Sequence, residues 1–114
     1  MKYLCLVYQQ EKDAYKVPKE MFEQGIRDYK AFEADIKKSG HHIVSYGLKH
    51  TDAATTVRVR DGKLSTTDGP FAETKEQLGG FFLIEARDLN DAIQVAARIP
   101  SAKWGSIEVR PVWE

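Results

Sequence analysis

Asp68 stands between Thr67 and the run Gly69-Pro70-Phe71, which sets its carboxylate at the meeting of a strand end and a turn. A carboxylate held rigidly at the lip of a cleft can act as a general base or accept a hydrogen bond from a ligand. The same Asp-Gly-Pro run suits a plain turn, with the side chain capping backbone amides, and the residue types leave both readings open. Around Asp68 we take Arg58, Gly69, Pro70, Phe71, Lys75 and Arg110 as ligand-binding candidates. Two strand arginines could grip a carboxylate in bidentate fashion, although cross-strand ion pairs are commoner and Glu108 lies close to Arg110. Phe71 is expected to plug the core beneath the loop. His41 and His42 are adjacent, so on a strand they face opposite ways and cannot share one metal, and no recognised ligand spacing is present. His42 is the weaker catalytic candidate, a substitute base if it faces the cleft. Cys5 reads as a small buried apolar residue, not a nucleophile. No Ser-His-Asp order, phosphate loop or dinucleotide fingerprint appears, which points to chemistry without metal or cofactor.

These residues need a frame. Tyr3 to Tyr8 alternates two largely apolar sets, as in a strand covered on both faces. Phe22, Ile26, Tyr29, Phe32, Glu33 and Ile36 recur at three- and four-residue steps, predicting a helix from about Lys19 to Ser39 that ends at a basic turn and Gly40. His42 to Tyr46 is a short strand. Thr55 to Arg60, Asp61-Gly62 and Lys63 to Thr67 read as a hairpin. After a polar stretch from Ala72 to Leu78 and the pair Gly79-Gly80, Phe81 to Ala86 reads as a central strand. Asp88 caps a helix with Leu89, Ala92, Ile93, Ala96 and Ala97 as its apolar face, and Pro100 ends it. Ser106 to Trp113 alternates, its Pro111 marking an edge or a strand end.

The order is α+β, a ferredoxin-like β-α-β-β-α-β with an inserted hairpin, in which both helices cover one face of an antiparallel sheet. The other face would leave apolar side chains in water, which predicts a homodimer with sheets packed face to face. At 114 residues the chain is a single domain. Seventeen Lys plus Arg balance seventeen Asp plus Glu, giving formal net charge +0 and disfavouring direct nucleic-acid or anionic-membrane contact. No apolar run is long enough to span a bilayer, and the opening segment has no cleavage region behind it, so a cytoplasmic location is expected.

The runs Thr55 to Gly62, Thr67 to Glu76, Leu78-Gly79-Gly80 and Gly105 to Pro111 resemble the YCII-related family, in the branch named for its Asp-Gly-Pro-Phe motif. The resemblance implies a dimeric α+β barrel with a small cleft that includes the motif aspartate. It also implies, for some relatives, lactone or ring-cleavage chemistry, and for this branch an association with sigma factors. Many relatives carry histidine just before the Gly105-Ser106 pair, where this chain has Trp104. Two functions follow as expectations. One is a protein that binds a small polar or aromatic-derived metabolite near Asp68, with cofactor-free proton transfer of isomerase, lyase or dehalogenase type. The other is a non-catalytic accessory or regulatory domain that engages a transcription-related protein.

Overall fold

Alternation along the first strand decides the layering. In the computed structural model, which describes residues 1–14 and 16–114, Tyr3, Cys5 and Val7 are buried on one side while Leu4, Leu6 and Tyr8 are half-buried on the other. The elements run β1 (Lys2–Gln9), α1 (Glu11–Ala14), α2 (Lys19–Lys38), β2 (His42–Gly47), β3 (Thr55–Arg60), β4 (Lys63–Asp68), β5 (Gln77–Glu85), α3 (Leu89–Ala97) and β6 (Ser106–Pro111). β1 pairs antiparallel with β5 and with β6, and β2 pairs antiparallel with β5, so the four-stranded sheet has the order β2-β5-β1-β6. This is the ferredoxin-like arrangement. Pro111 sits at the end of an edge strand, where its missing N–H interrupts no ladder on the open side.

Both helices pack on the Tyr3/Cys5/Val7 side. The core joins Phe32 and Ile36 of α2 and Ala92, Val95 and Ala96 of α3 to Phe82 and Ile84 of β5. Along α3 the buried face differs from the expected one: Val95 is buried, whereas Leu89 and Ile93 are exposed. Ala92, Val95, Ala96 and then Ile99 form the stripe that meets the sheet, so the helix is turned further toward Val95 than the alanine spacing predicts. Asp88 caps α3 as expected, its carboxylate accepting from the Asp91 N–H at 2.8 Å. α2 ends where basic residues and glycine predict, with Gly40 at φ 82° and the His41 N–H donating to the Ile36 carbonyl at 2.9 Å.

β3 and β4 form a separate two-stranded ribbon joined by Asp61 (φ 52°) and Gly62 (φ 74°), the positive-φ pair that a tight hairpin needs. The ribbon stands off the body. The Cα radius of gyration is 16.0 Å, against about 13 Å for a compact chain of this length. β5 begins earlier than the polar Ala72 to Leu78 stretch predicts, because Gln77 and Leu78 pair with Gln9 and Tyr8. Among the described residues no helix is long and apolar enough to cross a membrane.

Candidate functional site

The apolar stripe of α2 is longer than the core it covers. Phe32 and Ile36 are buried, but about two and three turns before Phe32, Ile26 is 43% and Phe22 57% exposed. These side chains overhang a cleft of about 750 Å³ between the first half of α2 and the sheet, floored by Val7 and Phe82. That is the size range of small-molecule sites. Its outer rim is the segment after β1, including Asp13, Ala14 and Val17. Glu11 pins this segment down: its carboxylate accepts from the Thr51 N–H at 2.7 Å and the Thr51 hydroxyl at 2.8 Å, and its own N–H donates to Gln77 Oε1 at 3.0 Å.

Gly25 lies in the middle of this wall. A glycine inside a helix costs about 1 kcal/mol relative to alanine. Among the described residues, a Cβ built at Gly25 would meet nothing within 4 Å. None of the described neighbours therefore requires the glycine, and its missing side chain adds to the cleft space.

Polar groups converge at one end. The Tyr29 hydroxyl makes a short hydrogen bond with Ser101 Oγ, Ser101 Oγ donates to Gln9 Oε1 at 3.1 Å, and the Trp104 indole N–H donates to the same oxygen at 3.2 Å. Ser101 is 1% exposed, so its hydroxyl depends on these partners. The Tyr29 ring is stacked parallel to Phe82 at 6.4 Å between centroids, and Phe32 meets Phe82 edge-on at 5.1 Å. Burial raises the Tyr29 pKa above its ordinary value, and the bond with Ser101 offsets part of that. The phenol is therefore neutral near pH 7. Gly105 brings Trp104 into place: a Cβ there would stand 2.2 Å from the Tyr8 carbonyl oxygen, so only glycine lets the chain entering β6 lie this close to β1.

At the other end, His42 Nε2 is 2.8 Å from Ser45 Oγ and 3.9 Å from Glu33 Oε1, and both partners line the cleft. His42 thus stands beside the cleft, behind two of its walls. His41 points elsewhere, as adjacency on a strand requires, and its Nε2 meets Asp91 at 3.1 Å while Nδ1 meets Ser39 Oγ at 2.7 Å.

Ser39, His41 and Asp91 have the connectivity of a hydrolytic relay, beside a shallow depression of about 450 Å³. The backbone argues against nucleophilic use. The N–H groups of Ser39, Gly40 and His41 all donate to α2 carbonyls, leaving none of them to hold an oxyanion. Ser39 also sits at the negative end of the helix, which disfavours an alkoxide. The cluster ties the end of α2 to the start of α3. Asp91 has its pKa lowered chiefly by the hydrogen bond from the Arg87 N–H, then by the bond and charge of His41.

Asp68 and the six ligand-binding candidates around it fall outside the cleft. Asp68 ends β4 and is exposed. Its turn is braced by the Gly69 N–H donating to the Ala54 carbonyl at 2.8 Å and the Thr56 hydroxyl donating to the Gly69 carbonyl at 2.8 Å. Gly69 adopts φ 100°, the role expected of it in the turn. Pro70 and Lys75 are exposed. Phe71 is 78% exposed, which corrects the expectation of a core plug: the hairpin carries its loop away from the body, so no core lies beneath the ring. Arg58 Nη2 donates to the Phe71 carbonyl at 3.3 Å. Arg110 pairs with Glu108 on β6, in the other sheet from Arg58, so these two arginines do not converge. Cys5 is buried, which pushes its thiol up to about 11. Tyr46 and Trp104 border the cleft, while Trp113 is almost fully exposed.

Sequence reasoning passed over Gln9, Gly25, Tyr29 and Ser101. The signal for Gly25 was a glycine inside a strong helical period; for the other three no local pattern exists, because strand, helix and turn must assemble before they meet.

A sheet with both helices on one face and an apolar opening under the first half of the long helix defines a ferredoxin-like α+β domain with a ligand-sized cleft. The profile of the YCII-related domain matches residues 1–114, and the chain belongs to that family. It is similar to an uncharacterized protein of Rhizobium meliloti (strain 1021), 39% identical over 114 residues that span 98% of this chain and 92% of that protein.

Proposed function

We propose that this YCII-related protein is a cytoplasmic homodimer that binds a small, largely apolar molecule in the cleft beneath α2. The observation that carries the reading is Gly25, a helix-weakening residue that lines the cleft and whose missing side chain leaves space in it. The polar cluster of Gln9, Tyr29, Ser101 and Trp104 gives the cleft an end that can orient a ligand. His42, behind Ser45 and Glu33, is a positioning group for the Ser45 hydroxyl and does not itself reach a ligand there. The dimer rests on the uncovered sheet face, where Leu4, Leu6, Phe81 and Leu83 are incompletely buried and Tyr46 is exposed. A lone buried cysteine suits a reducing compartment.

A thermal-shift screen against a metabolite library, run on the wild type and Asp68→Asn, tests this reading. Ligands of the native state raise the melting temperature. We expect hits that stabilise both proteins equally, because Asp68 is remote from the cleft of its own chain. Hits lost in a still-folded Asp68→Asn would move the site to the Asp-Gly-Pro-Phe loop.

The second reading, an accessory domain that engages a sigma factor or another transcription-related protein, is favoured by the projecting hairpin. Val57, Val59, Leu64 and Phe71 are all exposed on it, an unusual apolar display for a ribbon in water. A screen without hits, combined with loss of a partner on Phe71→Ala, would support that reading instead.

A further inference from the structure

We infer, resting on the binding reading above, that the ligand carries a neutral head group that both accepts and donates a hydrogen bond, a carboxamide or hydroxyl, on an aromatic or alicyclic body. The donor directions at the polar end lead there. The Trp104 indole can only donate, so the Gln9 atom 3.2 Å from it is the carbonyl oxygen. Ser101 Oγ lies 3.1 Å from the same oxygen and must donate to it. Its one proton is then used, so Ser101 accepts from the Tyr29 hydroxyl.

Two capacities are left over among the described residues: the N–H groups of Gln9 Nε2, and one lone pair of Tyr29 Oη, whose other accepts from the Ser101 backbone N–H. Nε2 is 4.0 Å from where a Cβ on Gly79 would stand, so the missing side chain at Gly79 leaves the amide approachable from the cleft. A complementary ligand offers an acceptor to Gln9 and a donor to Tyr29.

Charge selects further. Asp13 and Glu33 line the cleft against Lys30, so a carboxylate would meet excess negative charge. An ammonium group would satisfy Tyr29 but leave the Gln9 N–H groups without an acceptor, and would lose its hydration among Val17, Met21, Phe22 and Ile26. Those side chains suit an apolar body. Trp104 is a positioning residue here, because its indole holds the carboxamide of Gln9 with the N–H side toward the ligand.

The test is a matched set of probes, 2-naphthamide, 2-naphthoate, 2-(aminomethyl)naphthalene and naphthalene, titrated while the Gln9 side-chain amide and Trp104 indole resonances are followed by NMR. We expect 2-naphthamide to bind about tenfold more tightly than each of the others, as one or two net hydrogen bonds allow. Gln9→Leu should reduce 2-naphthamide to the level of naphthalene. Trp104→Phe should lose part of the preference without weakening naphthalene. Gly79→Ala adds a methyl with no neighbour closer than 4.0 Å, so it should fold normally and weaken 2-naphthamide selectively. Equal binding of all four probes, or tightest binding of the acid or the amine, would overturn the head-group inference while leaving the cleft a binding site. Absence of binding by every probe would overturn the binding reading as well.

Discussion

Gly105 shows how one residue without a side chain positions another that has one. The carbonyl oxygen of Tyr8 occupies the space a Cβ would need, at 2.2 Å, and it belongs to the central strand and cannot yield. Gly105→Ala must therefore separate β6 from β1, and with it pull the Trp104 indole from Gln9. We expect a loss of about 1–3 kcal/mol, measured by urea denaturation, together with a shifted Trp104 indole resonance. Asp91 makes a second prediction. Its folded-state pKa is depressed, so its contribution is present above about pH 4, the ordinary range for an unfolded carboxyl, and is lost as pH falls through the depressed value. Asp91→Asn should lower stability at pH 6 and flatten its fall below pH 4, as followed by thermal melts across pH; parallel acid limbs in the two proteins would refute the assignment. The Asp88 cap and the positive-φ glycines Gly40 and Gly62 are legible in a sequence because each acts through its own backbone, whereas Gly105 is required by the carbonyl of a distant strand. The meeting of Gln9, Ser101 and Tyr29 is not legible, since it exists only after three elements have packed.

At the scale of elements, α2 divides into a half that stabilises and a half that serves the cleft. Its spacing marks one continuous apolar stripe, and periodicity carries no information about where the sheet beneath it stops. The order of elements and the β3 and β4 bounds followed the local signals, because β-branched alternation and the Asp61-Gly62 turn act over few residues. The short α1, the early start of β5, the buried face of α3 and the direction of the hairpin were hidden. Local pattern says that two strands pair; it does not say that they pair away from the body. Since β3 and β4 form their own sheet, replacing residues 55–68 by a short Gly-Ser linker should leave the four-stranded sheet and α2 intact. An NMR fingerprint with unchanged core resonances would confirm this. Collapse of the core signals would mean that the arm supports the body.

For the whole molecule, the sheet has one dry face and one half-covered face, and the proposed dimer is the physical resolution of that asymmetry. Leu6 and Leu83 lie on the half-covered side, placed opposite to the buried Cys5, Phe82 and Ile84 by strand alternation. Leu83→Glu should convert a dimer into a folded monomer in sedimentation velocity; a wild type that already sediments as a monomer would refute the dimer. The order of elements made the α+β class readable at the outset. The place of the cleft was not, because the densest motif, Asp68 to Phe71, lies away from it and the cavity is bounded by residues with no motif of their own. Gly25 leaves space for the proposed ligand, and Gly25→Leu would fill it. The substitution should raise the melting temperature, because it removes a helix glycine worth about 1 kcal/mol. It should also abolish the further stabilisation that bound ligands give the wild type. A Gly25→Leu protein that responds to the same ligands as fully as the wild type would contradict the account.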